Sequence, residues 1–167
     1  MPVKKLTHLA FFTAISMSIY AIESAIPPLV PIPGIKLGLA NIITLILLHF
    51  YSRRDTLLVL LARIILSSLL FGQAISLVYS LAGGLLSLMV MAFTMKLLRQ
   101  KFCFLTGALG GVAHNIGQLI TAYAITATPG VFGYLPYFLL SGILTGLFTG
   151  FCAGGGTKYL AKYMKPL

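Results

Sequence analysis

Apolar runs of about 20 residues follow one another along this chain, and short clusters of Lys and Arg separate them. An α-helix rises about 1.5 Å per residue, so a run of that length reaches across the roughly 30 Å hydrocarbon core of a bilayer. In lipid every backbone N–H and C=O must be satisfied internally, and uninterrupted runs of this kind do so as helices. Six runs fit, near 6–26, 37–51, 55–71, 74–97, 103–126 and 133–157. The expected fold is an all-α integral membrane protein, a single bundle of six transmembrane helices that uses the 167 residues without a linker or a second domain. The third and fourth runs come from one apolar stretch, Thr56 to Met95, divided most simply at Gly72-Gln73, with Gly83-Gly84 as a rival break point.

Charge supports this layout. Charged residues make up 8% of the chain, against about 25% in soluble domains, and mean hydropathy is +1.01. There are 12 Lys+Arg against 2 Asp+Glu, a net charge of +10. Lys4, Lys5, Arg53, Arg54, Lys96, Arg99, Lys101, Lys158, Lys162 and Lys165 all fall on one side of the six-run layout, which predicts both termini in the cytoplasm. Lys36 opens the second run from the outer side, and Arg63 lies within the third. Basic clusters between apolar runs are not a nucleic-acid footprint, so no nucleic-acid partner is expected. The first run follows two lysines as a secretory signal does, but its length and Glu23 near its end mark an uncleaved span.

The two carboxylates are Glu23 and Asp55, too few for an Asp-rich metal cage or paired catalytic acids. Cys103 and Cys152 do not form a disulfide framework, and no Cys/His spacing fits zinc. No metal or cofactor is expected.

Small residues mark helix faces for close packing, since in lipid apolar burial alone does not drive helices together. Gly142, Gly146, Gly150 and Gly154 recur every four residues in the last run, with a shorter version at Gly107 and Gly111. They serve packing inside the bundle or a contact with another subunit. Ala10, Ala14 and Ser18 repeat the spacing in the first run, and at about 100° per residue Glu23 points roughly opposite them. The small face is expected to meet a partner subunit or a tightly packed helix, while Glu23 looks into the bundle.

Ionisable residues inside a span are costly unless they face a cavity or a partner, which makes each a functional candidate. Glu23, Lys36 and Arg63 form one such group, either contacting a ligand or neutralising one another. The fifth run supplies His114, Asn115 and Gln118, with Thr121 beyond, a wedge of donors and acceptors on adjoining faces near mid-membrane. That wedge lines a binding pocket or makes helix-to-helix hydrogen bonds. Asn41 and Thr44 on the second run, with Gln73 and Tyr79 by the fourth, would line the outer half of the same cavity. Tyr123, Tyr134 and Tyr137 suit an outer aromatic belt.

Two stretches are distinctive, PIPGIKLGLAN at 31–41 and GGVAHNIGQL at 110–119. The first has prolines that stiffen the approach, glycines that let the backbone turn, and Lys36 and Asn41 at the mouth of the second helix. With the six-run layout, these stretches resemble the Gx transporter family, whose members carry the label heptaprenyl diphosphate synthase component I. That family is similar to the substrate-binding S components of energy-coupling factor transporters, prokaryotic plasma-membrane proteins that capture vitamins or other micronutrients.

The resemblance implies an outward-facing pocket capped by the loop between the first two helices. Lys36 and Asn41 would stand at its rim, with His114, Asn115 and Gln118 inside. It implies that Ala10, Ala14 and Ser18 contact a transmembrane coupling subunit, which works with an ATPase pair. The site expected to take a small polar or anionic molecule comprises Glu23, Lys36, Asn41, Arg63, Gln73, His114, Asn115 and Gln118. Catalysis by this chain is not expected, because it has neither an Asp-rich prenyltransferase motif nor an ATP-binding P-loop. The alternative is a non-catalytic membrane accessory subunit of an isoprenoid diphosphate synthase. A self-sufficient transporter is a weaker third reading, as no internal repeat is visible.

Overall fold

The computed structural model describes residues 3–26, 36–71, 74–98 and 102–163. Among them the chain forms six α-helices and no strand: α1 (Val3–Ser24), α2 (Asn41–Phe50), α3 (Arg53–Phe71), α4 (Ala74–Leu97), α5 (Cys103–Thr126) and α6 (Leu135–Leu160), with a 3₁₀ turn at Pro129–Tyr134. Three segments are long and apolar enough to cross a membrane: α1, α4 and Pro129–Leu160, with mean hydropathies of 1.3, 1.9 and 1.6. α3 and α5 are comparable in length but carry Arg53, Arg54, Asp55 and Arg63, and His114, Asn115 and Gln118 respectively.

The second helix is shorter than its apolar run. Gly38 has φ +83°, a left-handed conformation that does not continue into a right-handed helix, so α2 begins only at Asn41. Its 10 residues are buried on almost every side and reach about 15 Å, half of a hydrocarbon core. The long apolar stretch divides at the first of its two break points: α3 ends at Phe71, α4 starts at Ala74, and α4 runs unbroken through Gly83 and Gly84.

The start of α3 has a local cause. Ser52 and Asp55 bond reciprocally at the head of α3: Asp55 Oδ2 accepts from the Ser52 hydroxyl at 2.5 Å and its N–H at 3.2 Å, and the Asp55 N–H reaches Ser52 Oγ at 3.3 Å. Lys5 closes on the same carboxylate at 2.8 Å, and His8 Nδ1 lies 2.8 Å from the Tyr51 hydroxyl, tying α1 to the α2–α3 corner. This end of the bundle also gathers Arg53, Arg54, Lys96 and Lys158, and is called the basic end below.

The packing is inverted relative to a soluble domain. Large apolar side chains such as Phe11, Leu69, Phe93, Leu144 and Phe151 face outward, while Glu23, Arg63, His114, Asn115 and Gln118 are buried. One apolar core joins α1 to α4 around Leu45, Leu47, Ile64 and Met91, and a smaller one joins α4, α5 and α6 around Tyr79, Leu119 and Phe138.

The glycine stripes of α5 and α6 meet each other. A Cβ on Gly107 would stand 2.6 Å from the Gly150 Cα, and one on Gly111 would stand 2.8 Å from the Gly146 Cα. Of the two roles open to the α6 stripe, packing within the bundle accounts for Gly142, Gly146 and Gly150. Gly154 lies past the seam, its nearest neighbour being Cys103 Cβ at 3.6 Å.

Candidate functional site

α1 buries Leu9, Phe12, Ser16, Tyr20 and Glu23 along one stripe, so Glu23 enters the bundle from the last turn of the helix. Its carboxylate accepts the backbone N–H of Gly38 at 2.6 Å and that of Leu39 at 3.0 Å. Arg63, buried on α3, faces it as a counter-charge. Lys36 donates to Ser24 Oγ at 2.6 Å and holds its ammonium 4.7 Å from the centre of the Tyr20 ring. Burial draws the Lys36 amine below the usual lysine range, and the nearby Glu23 opposes that shift. The short segment 36–39 is thus strapped to the end of α1 by charge-assisted hydrogen bonds, and the Glu23, Lys36 and Arg63 of the sequence analysis come together there.

Under the strap sits His114. Its imidazole is held between two glycines: a Cβ on Gly38 would stand 2.8 Å from Cδ2, and a Cβ on Gly83 would stand 2.9 Å from Cε1. No other residue type fits either place without displacing the ring. One turn on, the Gln118 side-chain amide N–H donates to His114 Nε2 at 3.0 Å. The same point above Gly38 that nearly touches His114 is 3.1 Å from the Asn41 Nδ2, so Asn41 joins the cluster from the head of α2.

The cluster is polar, buried and incompletely paired. Asn41 is 2% exposed and Gln118 fully buried, yet among the described residues neither amide atom of Asn41 and not Oε1 of Gln118 has a hydrogen-bond partner. Leaving a buried amide atom unpaired costs about 1–3 kcal/mol, so such atoms are normally matched by protein, water or ligand. The three together offer one donor and two acceptors, groups that suit a molecule with its own donors and acceptors.

Asn115, one residue along from His114, is used differently. Its Nδ2 donates to the Phe138 carbonyl at 2.8 Å and to Ser141 Oγ at 2.9 Å, tying α5 to α6. Thr121 bonds back to the Gly117 carbonyl at 2.9 Å within its own helix. Of the wedge expected on α5, His114 and Gln118 face the strap while Asn115 faces α6. Gln73 lies outside the described residues, as do Pro27, Pro28 and the Pro31 to Ile35 part of the loop motif. Tyr20, Ser24, Gly38 and Gly83 were not singled out as site residues from sequence, although Tyr20 and Ser24 are three residues before and one after Glu23, within one turn of it.

On the other side of α1, Ala10, Ala14 and Ser18 are exposed, away from Glu23. Ala10 and Ala14 line a shallow apolar groove of about 450 Å³ against Leu58, Ala62 and Leu66 of α3. Among the described residues, no group of His, Cys, Asp or Glu is arranged to hold a metal ion.

No curated protein and no solved structure matches the chain. A family model does, over residues 12–155, which take in the strap, the His114 cluster and the glycine seam. The chain belongs to the family described as heptaprenyl diphosphate synthase component I, and its inverted packing and long apolar helices make it a membrane protein.

Proposed function

We propose that the chain is the substrate-capturing subunit of a small-molecule importer, similar to an S component, and that it performs no catalysis itself. The observation that carries this reading is the buried amide pair, Asn41 and Gln118, with unpaired atoms beside His114 and beneath a strap held by Glu23. A purely structural core would gain by replacing Asn41, both of whose amide atoms are unpaired, with an apolar residue of the same volume. In this reading all six helices sit in the prokaryotic plasma membrane with both termini cytoplasmic, and the ligand comes from the outer side when the 36–39 strap lifts. The buried cation Arg63 and the rim cation Lys36 favour a polar or anionic molecule.

Energy comes from elsewhere, because the chain has no nucleotide-binding motif. The exposed face of Ala10, Ala14 and Ser18 docks on a transmembrane coupling subunit, which in turn engages an ATPase pair. Purification from native membranes in mild detergent, with mass spectrometry of retained metabolites and proteins, tests both halves. A retained metabolite that disappears in Asn41→Leu and Gln118→Leu, together with an ATPase pair, supports the proposal. A soluble prenyl synthase subunit with no metabolite and no ATPase would replace it with the second reading, a non-catalytic accessory subunit, whose support is the wording of the family description.

A further inference from the structure

A second concave surface lies at the basic end, remote from His114. α3 and α4 are antiparallel neighbours, so the head of α3 and the tail of α4 lie side by side. Between them runs an open groove of about 780 Å³, with Arg53, Arg54 and Lys96 at its mouth and Leu57, Leu85, Leu88, Met89, Ala92 and Phe93 along its length. Lys96 and Leu85 are separated by 11 residues of helix, about 16 Å of apolar trough. Met89 and Phe93 are 63% and 68% exposed, so nothing in the described chain covers it.

The charge at the mouth is uncompensated. The chain has only two acidic side chains: Asp55 is engaged by Lys5 and Ser52, and Glu23 is taken up by the strap. Three exposed cations therefore meet at one end of an apolar trough without an acidic partner. A second copy would bring the same cations to the same place and repel. An amphiphile with an anionic head and a hydrocarbon tail matches both halves, and basic pockets of this kind between helices take phosphate headgroups of membrane lipids.

We propose that the α3–α4 groove is a binding site for one anionic phospholipid, its phosphate on Arg53, Arg54 and Lys96 and an acyl chain along Leu85, Met89 and Phe93. The site is separate from the His114 cluster and does not depend on the importer reading. Planar guanidinium groups suit a phosphate by bidentate hydrogen bonding, and Lys96 adds a point charge from the facing helix.

The test is native mass spectrometry of the full-length protein in detergent with equimolar phosphatidylglycerol and phosphatidylcholine. The expected result is one retained phosphatidylglycerol, preferred over phosphatidylcholine on the order of tenfold to a hundredfold, as three near-surface cations predict. The triple variant Arg53→Gln, Arg54→Gln, Lys96→Gln should lose that preference, and Arg53→Lys, Arg54→Lys, Lys96→Arg should keep most of it. The three side chains are exposed, so the protein should still fold, and unchanged thermal unfolding in the absence of lipid checks this. Equal retention of the two lipids, or a preference that survives the triple Gln variant, overturns the assignment. So does binding of inorganic diphosphate or farnesyl diphosphate that leaves phosphatidylglycerol unbound, which would make the ligand a soluble or prenyl phosphate. Displacement of lipid by a co-purified acidic protein segment would overturn it as well, in favour of a protein partner.

Discussion

The carboxylate of Glu23 accepts the Gly38 N–H at 2.6 Å, a contact across 15 residues that fixes the strap over the bundle interior. It is also the acidic neighbour of the buried cation Arg63. Replacing Glu23 by Gln therefore does two things. It turns an amide N–H toward a backbone donor, and it leaves a buried guanidinium uncompensated. Breaking one side of a buried pair typically costs about 3–5 kcal/mol. Thermal unfolding in detergent should show Glu23→Gln strongly destabilised, and the double variant Glu23→Gln, Arg63→Met closer to the parent than Glu23→Gln alone. A double variant as unstable as the sum of its parts would separate the two residues.

Gly38→Ala faces two separate costs. A left-handed residue with a Cβ loses about 1–2 kcal/mol, and the new methyl runs into His114. Adding His114→Ala should restore the steric part and leave the backbone part, so the double variant should unfold between Gly38→Ala and the parent once the cost of His114→Ala alone is subtracted. Full additivity would mean that the two residues do not touch.

The buried amide of Asn41 gives opposite signs for folding and for binding. Asn41→Leu removes two unpaired polar atoms, so the ligand-free protein should be as stable as the parent or more stable, whereas Gln118→Leu removes one unpaired oxygen together with the bond to His114 Nε2 and should not gain stability. Retention of a co-purifying metabolite should drop at least tenfold in the same variants, measured by mass spectrometry. Asn115→Leu should behave in the reverse sense, losing about 1–3 kcal/mol because the Phe138 carbonyl and Ser141 lose their donor.

Along the α5–α6 seam, position decides tolerance. Gly146→Ala should abolish stable folding, because its methyl meets the Ala108 backbone with its Cα at 2.7 Å. Gly154→Ala, four residues on, has room and should unfold like the parent or slightly later, since alanine is the better helix former by about 1 kcal/mol. Circular dichroism melts of the two variants give the comparison.

Sequence periodicity and run length were enough to find the helices, because long apolar segments and their breakers act locally. The glycine stripes were also legible, but that they meet each other, Gly107 against Gly150 and Gly111 against Gly146, is seen only in the folded chain. The division of labour on α5 was not. Asn115 and Gln118 are both amides and differ by three residues, only about 60° around the helix. Which of them meets α6 and which meets His114 is set by how far α5 is rotated, a property of packing rather than of residue type. The start of α2 was hidden for a similar reason, since the run from Leu37 is apolar throughout and only the backbone angle at Gly38 shows that helix has not yet begun. Nothing in the sequence sets Tyr20 apart from the other aromatics, and its place in the site rests on Lys36 lying over its ring.

The glycine seam has a mechanical corollary. Helices that touch through side chains can slide by rotamer exchange, whereas α5 and α6 touch backbone to backbone and are pinned again by Asn115. The pair is a stiff block that presents His114 and Gln118 from one fixed wall. For the proposed importer the expected admission of a guest molecule is then a one-sided motion, with the strap and the end of α1 swinging on Gly38 while the α5–α6 wall stays still. Affinity would be set by the stationary wall and residence time by the clasp at Glu23, so the two are open to separate tuning by substitution.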